Sequence, residues 1–208
     1  MNSSEVQISR KEREIAQRKQ DILNTAARLF SERDFHEVTV EDIATEVGLS
    51  KGTLYLYFKN KDELFFSIIQ DRFERLYKRI KEVVQCEGPF EPCVRKFIQT
   101  YIAFFDEHRA FFKIIQSEKT RLSMEDTFKM QDYFKKIMTM YFATVNSFIR
   151  KGQKEGAIRP LNPRAVTKML IGTIHTFTFD RLIFGSDSDL EAEEALVMDM
   201  IWNGIRAA

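Results

Sequence analysis

An all-α chain is the fold class this sequence predicts. Only four prolines and eight glycines occur in 208 residues, so breaks in regular structure are few. Valine and isoleucine nowhere alternate with polar residues for long, which argues against strands. Apolar residues recur instead at helical spacing. The length suits a small domain plus a medium one, or a single large helical domain, and the expected divisions are residues 1–17, 18–64 and 65–208.

Residues 1–10 read as disordered, within a flexible basic arm that extends to residue 17. A helix from Lys11 or Arg18 to Arg33 turns Ile22, Leu23, Ala26, Ala27, Leu29 and Phe30 inward, and Phe35 closes a small three-helix core. Thr39 is a good N-cap, with Asp42 at the third helical position as in a capping box. Val40, Ile43, Ala44 and Val47 then mark one face of a short helix. Gly48 supplies the permissive backbone for its end, and Leu49 plugs the corner. Ser50 caps a second short helix, anchored by Leu54 and Phe58. Two short helices around one glycine are the pattern of a helix-turn-helix.

The outer side chains of the second helix suit DNA. Lys51 can donate to guanine or to phosphate, and Thr53 can hydrogen-bond and present a methyl group. Gly52 allows close approach where free N–H groups favour phosphate. Tyr55 and Tyr57 offer hydroxyls on stiff planes, Asn60 with Glu63 forms the next cap, and Lys61 is a further phosphate candidate. Ser-Lys-Gly-Thr-Leu-Tyr-Leu-Tyr-Phe-Lys-Asn-Lys-Asp-Glu-Leu at 50–64 resembles the recognition-helix signature of the tetracycline-repressor (TetR) family of bacterial transcription regulators. Ile22-Leu-Asn-Thr-Ala-Ala-Arg-Leu-Phe30 resembles that family's first helix, and the likeness covers roughly residues 18–64. The resemblance implies that Thr39 and Ser50 touch phosphate as well as capping. It implies that Lys51, Gly52 and Thr53 meet the major-groove floor, and that Tyr55, Tyr57 and Lys61 clamp the backbone. Leu56 falls at a variable position and either meets a thymine methyl or is an exposed leucine of no consequence.

Charge supports this locally and not globally. The net charge is +1, and residues 1–64 carry slightly more acids than bases, which counts against nucleic acid by the crude test. The bases are clustered, however: Arg10, Lys11, Arg13, Arg18 and Lys19 precede or open the first helix, and Lys51, Lys59 and Lys61 gather at the second short one. Local sign matters over a screening length of roughly ten ångströms. Cys86 and Cys93 fit no metal spacing and are expected as reduced thiols of a cytoplasmic protein. No cofactor, metal, signal segment or membrane span is expected.

A long helix over 61–85 is expected to join head and body, packing on the first through Leu64, Phe65, Ile68 and Ile69 and on the second through Phe73, Leu76, Tyr77, Ile80, Val83 and Val84. Further helices are expected at 92–108, 110–119, 125–154, 163–184 and 190–205. The turn at 153–160 resembles a motif seen in many members of the family, with Ile158 as its buried residue. The body is rich in phenylalanine and methionine, as both a core and an apolar pocket require. The resemblance implies a cavity for a small apolar or aromatic effector. Its candidate wall is Phe104, Phe105, Phe112, Ile115, Phe134, Met138, Tyr141, Phe177 and Arg181, with Gln116, His175 and Asp180 as polar anchors. The last two helices read as a dimer surface through Val166, Met169, Gly172, Ile174, Leu190, Val197, Met200, Ile201 and Ile205. A two-fold dimer implies a palindromic operator.

The function expected is therefore a homodimeric, ligand-responsive transcriptional repressor, with a ligand-independent regulator or an activator as the alternative. An enzyme is disfavoured, since His36, His108 and His175 are scattered and no catalytic grouping stands out. A head turned to protein contacts is the third reading, and DNA binding is told from it by its steep salt dependence.

Overall fold

Helices account for the regular structure, and each begins or ends where its sequence demands. The computed structural model describes residues 9–118, 124–184 and 189–207, with side chains described except at 116–118 and 124–127. Among them the helices are α1 (Arg10–Glu32), α2 (Val40–Val47), α3 (Lys51–Tyr55), α4 (Lys61–Val83), α5 (Phe90–Glu107), α6 (Arg109–Glu118), α7 (Met124–Lys154), α8 (Pro163–Phe184) and α9 (Leu190–Ile205). The chain divides into two compact units, the first ending at Gln70 and the second beginning at Asp71.

In the first unit, α1 begins earlier than the expected flexible arm allows. Ser9 caps it, accepting from the Glu12 N–H at 3.2 Å while the Glu12 carboxylate accepts from the Ser9 N–H at 2.8 Å. This reciprocal cap makes residues 10–17 helical, while residues 1–8 of the expected arm lie outside the described part. Ile22, Ala26 and Phe30 from α1, Ile43 from α2 and Leu54 from α3 are buried together with Phe58. The first turns of α4 complete the core through Leu64, Phe65, Ile68 and Ile69, all buried. The unit therefore ends at Gln70, six residues beyond the expected division after 64. Phe35 closes it, 4.9 Å from both Phe30 and Phe65 between ring centroids.

In the second unit α5 runs through the core, packing against α8 and α9, and α8 packs against α7. Phe97, Ile98, Ile102, Phe104 and Phe105 of α5 are almost wholly buried. Each such side chain contributes about 1.5–3 kcal/mol by leaving water. The helix starts two residues before Pro92, which sits in the first turn where its missing N–H has no helical acceptor to lose. Ile158 is buried in the turn after α7 and pairs with Arg206 after α9.

Cys86 and Cys93 form a disulfide, their Cα atoms 6.1 Å apart. This corrects the expectation of two reduced thiols. The short Gly88-Pro89 connection turns the end of α4 back toward α5, and Lys151 Nζ donates to the Cys86 carbonyl at 2.7 Å. The spacing resembled no metal motif, but chain reversal over seven residues brings the two sulfurs together.

Candidate functional site

The head is built by caps. Asp42 N–H donates to Thr39 Oγ1 at 3.1 Å, and Thr39 N–H donates to Asp42 Oδ2 at 2.9 Å. These bonds, with Arg33 nearby, hold the Asp42 carboxyl below its ordinary range. Gly48 takes φ 73°, the left-handed conformation in which a side chain is strained, and so ends α2 sharply. The Leu49 N–H then donates to the Ala44 carbonyl at 2.8 Å. Ser50 Oγ accepts from the Thr53 N–H at 3.1 Å and lies 2.8 Å from Thr53 Oγ1. Leu54 and Phe58 point inward and are 1% and 2% exposed. Lys51, Gly52, Tyr55 and Leu56 are left exposed, with Thr53 and Tyr57 half-buried. Leu56, 85% exposed, is an apolar side chain with nothing to cover it in the free head.

Two lysines proposed for DNA already have partners. Lys51 Nζ pairs with the Glu41 carboxylate of α2 and lies 5.9 Å from the Tyr55 ring centroid. The pair raises the lysine's affinity for its proton and lowers the carboxyl's. Lys61 donates to the Phe35 carbonyl, and its ammonium lies 4.2 Å from the Phe35 ring centroid. Lys61 is thus half-buried at the hydrophobic corner of the head, beside the Phe35 ring. Its placement follows from Phe35 packing beside the start of α4, which its local sequence does not reveal.

The second unit contains a cavity of about 350 Å³. Phe73, Leu76 and Tyr77 of α4 form one wall, Tyr101 and Phe105 of α5 another, and Phe112 and Ile115 of α6 a third. α7 supplies Met130, Phe134, Ile137, Met138 and Tyr141, and α8 supplies Ile171, His175 and Phe179. Edge-to-face packing of Phe73 on Phe112 and Phe134, at 5.8 and 5.0 Å, stiffens the aromatic wall. The polar groups are few. Tyr101 Oη lies 3.1 Å from His175 Nδ1, and Tyr77 Oη lies 3.2 Å from Thr144 Oγ1. Among the described residues the buried Tyr141 hydroxyl has no partner. Burial pushes the Tyr101 and Tyr141 hydroxyls up and His175 down, so all three are neutral near pH 7.

Seven of the proposed effector residues thus share the cavity: Phe105, Phe112, Ile115, Phe134, Met138, Tyr141 and His175. Four do not. Phe104 lies on another side of α5, in the core against His108 at 4.8 Å and under the Arg79 guanidinium at 5.1 Å. Phe177 packs against the core and Asp180 is exposed. Arg181 is held 3.3 Å from both Asp106 and Glu193. The Gln116 side chain lies outside the described part. The residues missed share one signal: Phe73 with Tyr77, Tyr101 with Phe105, Met130 with Phe134, and Ile171 with His175 and Phe179 are one helical turn apart.

The proposed dimer residues also divide. Val166, Ile174, Val197, Ile201 and Ile205 are buried within the unit, and Leu190 packs against its core. Met169, Gly172 and Met200 face outward, joined by exposed Leu196 and Ile183. Apolarity marked both faces of these helices, and the inward one was the fuller.

His108 caps α5 beneath Phe104. Burial and the nearby Arg72 depress its pKa to about 4. Its folded pKa lies below the unfolded one, so the stability it contributes is complete above about pH 6.5 and is lost as pH falls toward 4. The site is half-exposed, so about 1 kcal/mol is expected after screening. Denaturant titrations from pH 7 to 4.5 should show a shallower loss of stability in His108→Gln than in the parent; equal slopes would dismiss the assignment.

A helix-turn-helix in one unit and a largely apolar cavity in the other define the class of a DNA-binding regulator that senses a small molecule. Residues 22–68 match the family described as bacterial regulatory proteins, tetR family. The chain is 23% identical over 185 residues to the fatty acid metabolism regulator protein of Bacillus subtilis, covering 88% of this chain and 93% of that one. It is 29% identical over 149 residues to the transcriptional repressor KstR2 of Mycobacterium tuberculosis, covering 71% and 72%. The crystal structure of FadR from Bacillus subtilis in complex with stearoyl-CoA superposes with a TM-score of 0.70 at 22% identity, covering 89% and 98%. The head, residues 22–68, is that of the TetR family of bacterial transcription regulators, and these relatives are regulators, not enzymes. Among the described residues no helix is long and apolar enough to cross a membrane.

Proposed function

We propose that the protein is a homodimeric repressor that binds a palindromic operator and leaves it when an acyl chain enters the cavity of its second unit. The observation that carries this reading is the largely apolar cavity in a chain that also bears a capped helix-turn-helix. An acyl chain is favoured because the Bacillus subtilis relative regulates fatty acid metabolism and the similar FadR structure holds stearoyl-CoA. Lys51, Gly52, Thr53, Tyr55 and Tyr57 read or clamp the duplex, with Thr39 and Ser50 at its phosphates, and repression takes place in the cytoplasm. α4 carries buried residues of the head in its first turns and cavity residues in its later ones, so it is the covalent path for release. Release requires that the DNA-bound arrangement bind the acyl chain more weakly.

The test is selection of a preferred duplex from random DNA, followed by fluorescence anisotropy with and without a long-chain acyl ligand. Lys51→Ala should weaken operator binding and reduce the salt slope by about one if Lys51 meets phosphate, or relax base preference if it meets guanine. No sequence-preferring binding in the selection would overturn the reading.

The dimer is assigned to the outward faces of α8 and α9, where Met169, Ile183, Leu196 and Met200 are 39–53% exposed. Gly172 sits on the same face, with nothing within 4 Å of where its Cβ would be. Leu196→Glu with Met200→Glu should yield a folded monomer by analytical ultracentrifugation, with operator affinity lowered at least about a hundred-fold by loss of the second half-site. An unchanged dimer would place the interface elsewhere.

A further inference from the structure

We propose that a cleft beside the cavity, between α7 and α8, receives the phosphate-bearing head of the same ligand whose tail occupies the cavity; the inference rests on the acyl-chain reading above. The cleft measures about 690 Å³ and is lined by Lys135 and Arg150 from α7 and by Arg164 and Lys168 from α8. Among the described residues no Asp or Glu lines it, in a chain whose bases and acids number 32 and 31. Four cations without an acid are therefore a local arrangement and not a sample of the whole surface. All four are exposed, and among the described residues none is paired with a carboxylate. The Arg150 Nε donates to Asn146 Oδ1 at 3.1 Å, which leaves its terminal nitrogens to turn outward.

Among the described residues the cleft and the cavity share one, Met138. Methionine is the apolar side chain that adapts most readily to what passes it. One turn further along α7 stands Tyr141, whose buried hydroxyl has no partner among the described residues and lines the cavity. α7 thus borders both spaces, bringing an apolar wall, an unpartnered hydroxyl and a pliable side chain beside a cationic cleft. A ligand matching this arrangement has an apolar chain, a carbonyl at its end and a head carrying several phosphate oxygens, as an acyl ester of a nucleotide carrier or of a phosphorylated glycerol does. The guanidinium groups can grip phosphate in pairs of hydrogen bonds, and the lysines add point charge.

The experiment titrates the full chain with palmitoyl-CoA, palmitoyl lysophosphatidate and cetyl alcohol, each below its aggregation threshold. Arg164→Gln with Lys168→Gln should weaken palmitoyl-CoA about ten-fold and leave cetyl alcohol within about two-fold. Lys135→Gln with Arg150→Gln, on the other wall, should do the same. Unchanged palmitoyl-CoA affinity in both pairs overturns the head site, as does an equal loss of all probes in both pairs. Cetyl alcohol binding to the parent separates that failure from failure of the acyl-chain reading, in which no probe binds. Tighter binding of palmitoyl-CoA than of the lysophosphatidate assigns the head to a nucleotide ester; the reverse order assigns it to a phospholipid.

Discussion

Replacing Phe65 with alanine is expected to unfold the DNA-reading unit and abolish operator binding, while leaving the acyl cavity functional. Phe65 is 1% exposed and stands at the centre of an aromatic cluster, 4.9 Å from Phe35 and 5.9 Å from Phe30. Truncation of a buried phenylalanine costs about 3–5 kcal/mol, as lost transfer energy and as a cavity that neighbours only partly fill. A head this small has little more than that to lose. Loss of Phe65 also loosens Phe35, and with it the carbonyl that holds Lys61. The measurement is hydrogen exchange resolved by segment, with operator and acyl-ligand titrations alongside. Protection should vanish over α1–α3 and persist over α5 and α8. Retained operator affinity would show that the aromatic cluster is dispensable.

The second large effect concerns Gly152, where alanine should destabilise the body instead of favouring its helix. A Cβ at this position of α7 would lie 2.6 Å from Cζ of Phe90 and 2.7 Å from its Cε1. Phe90 cannot turn away cheaply, because its ring is stacked on Phe148 at 4.5 Å and is itself buried. Phe148 stacks in turn on Phe97, and Phe97 on Tyr141 of the cavity wall. Glycine to alanine within a helix normally gains roughly 0.5–1 kcal/mol. Overpacking here should reverse the sign, to a loss of about 1–3 kcal/mol, and weaken acyl binding through the stack. Gly172→Ala is the matched control: nothing lies within 4 Å of its added carbon, so the monomeric body should gain the ordinary increment. Denaturant midpoints for the two variants, each in the monomeric Leu196→Glu with Met200→Glu background, decide the matter, and equal signs would refute it.

Much of the head was legible because its grammar is local. Thr39 with Asp42, Gly48 and Ser50 each act on backbone within a few residues, and the structure shows each bond. The Lys61 contact is not legible locally because its partner, Phe35, lies twenty-six residues away. The body was legible in its helix ends and less so in its facing surfaces. Phe104 and Phe105 are chemically identical neighbours, yet only the second borders the cavity. Which one does so depends on how α5 is turned against α6, α7 and α8, and no short window of sequence encodes that. Ile174 and Val197 drew attention as a dimer stripe because apolarity announces burial without naming the partner, and their partner is their own chain's core. Cys86 and Cys93 were read by compartment, whereas their pairing is set by the turn between them.

The Glu41–Lys51 pair has a consequence for how the protein finds its operator. Chromosomal DNA presents phosphate at every step, and a free lysine at the reading edge would hold the head on any of it. Here the ammonium is already satisfied by a carboxylate of the same unit, in a chain of net charge +1. Exchanging one exposed partner for another gains little, so random sequence gives only brief sojourns. If these residues meet DNA as proposed, only a site that also suits the tyrosines, Thr53 and the bare Leu56 methyls holds the head longer. The internal carboxylate thereby lowers the background against which a scarce operator must compete.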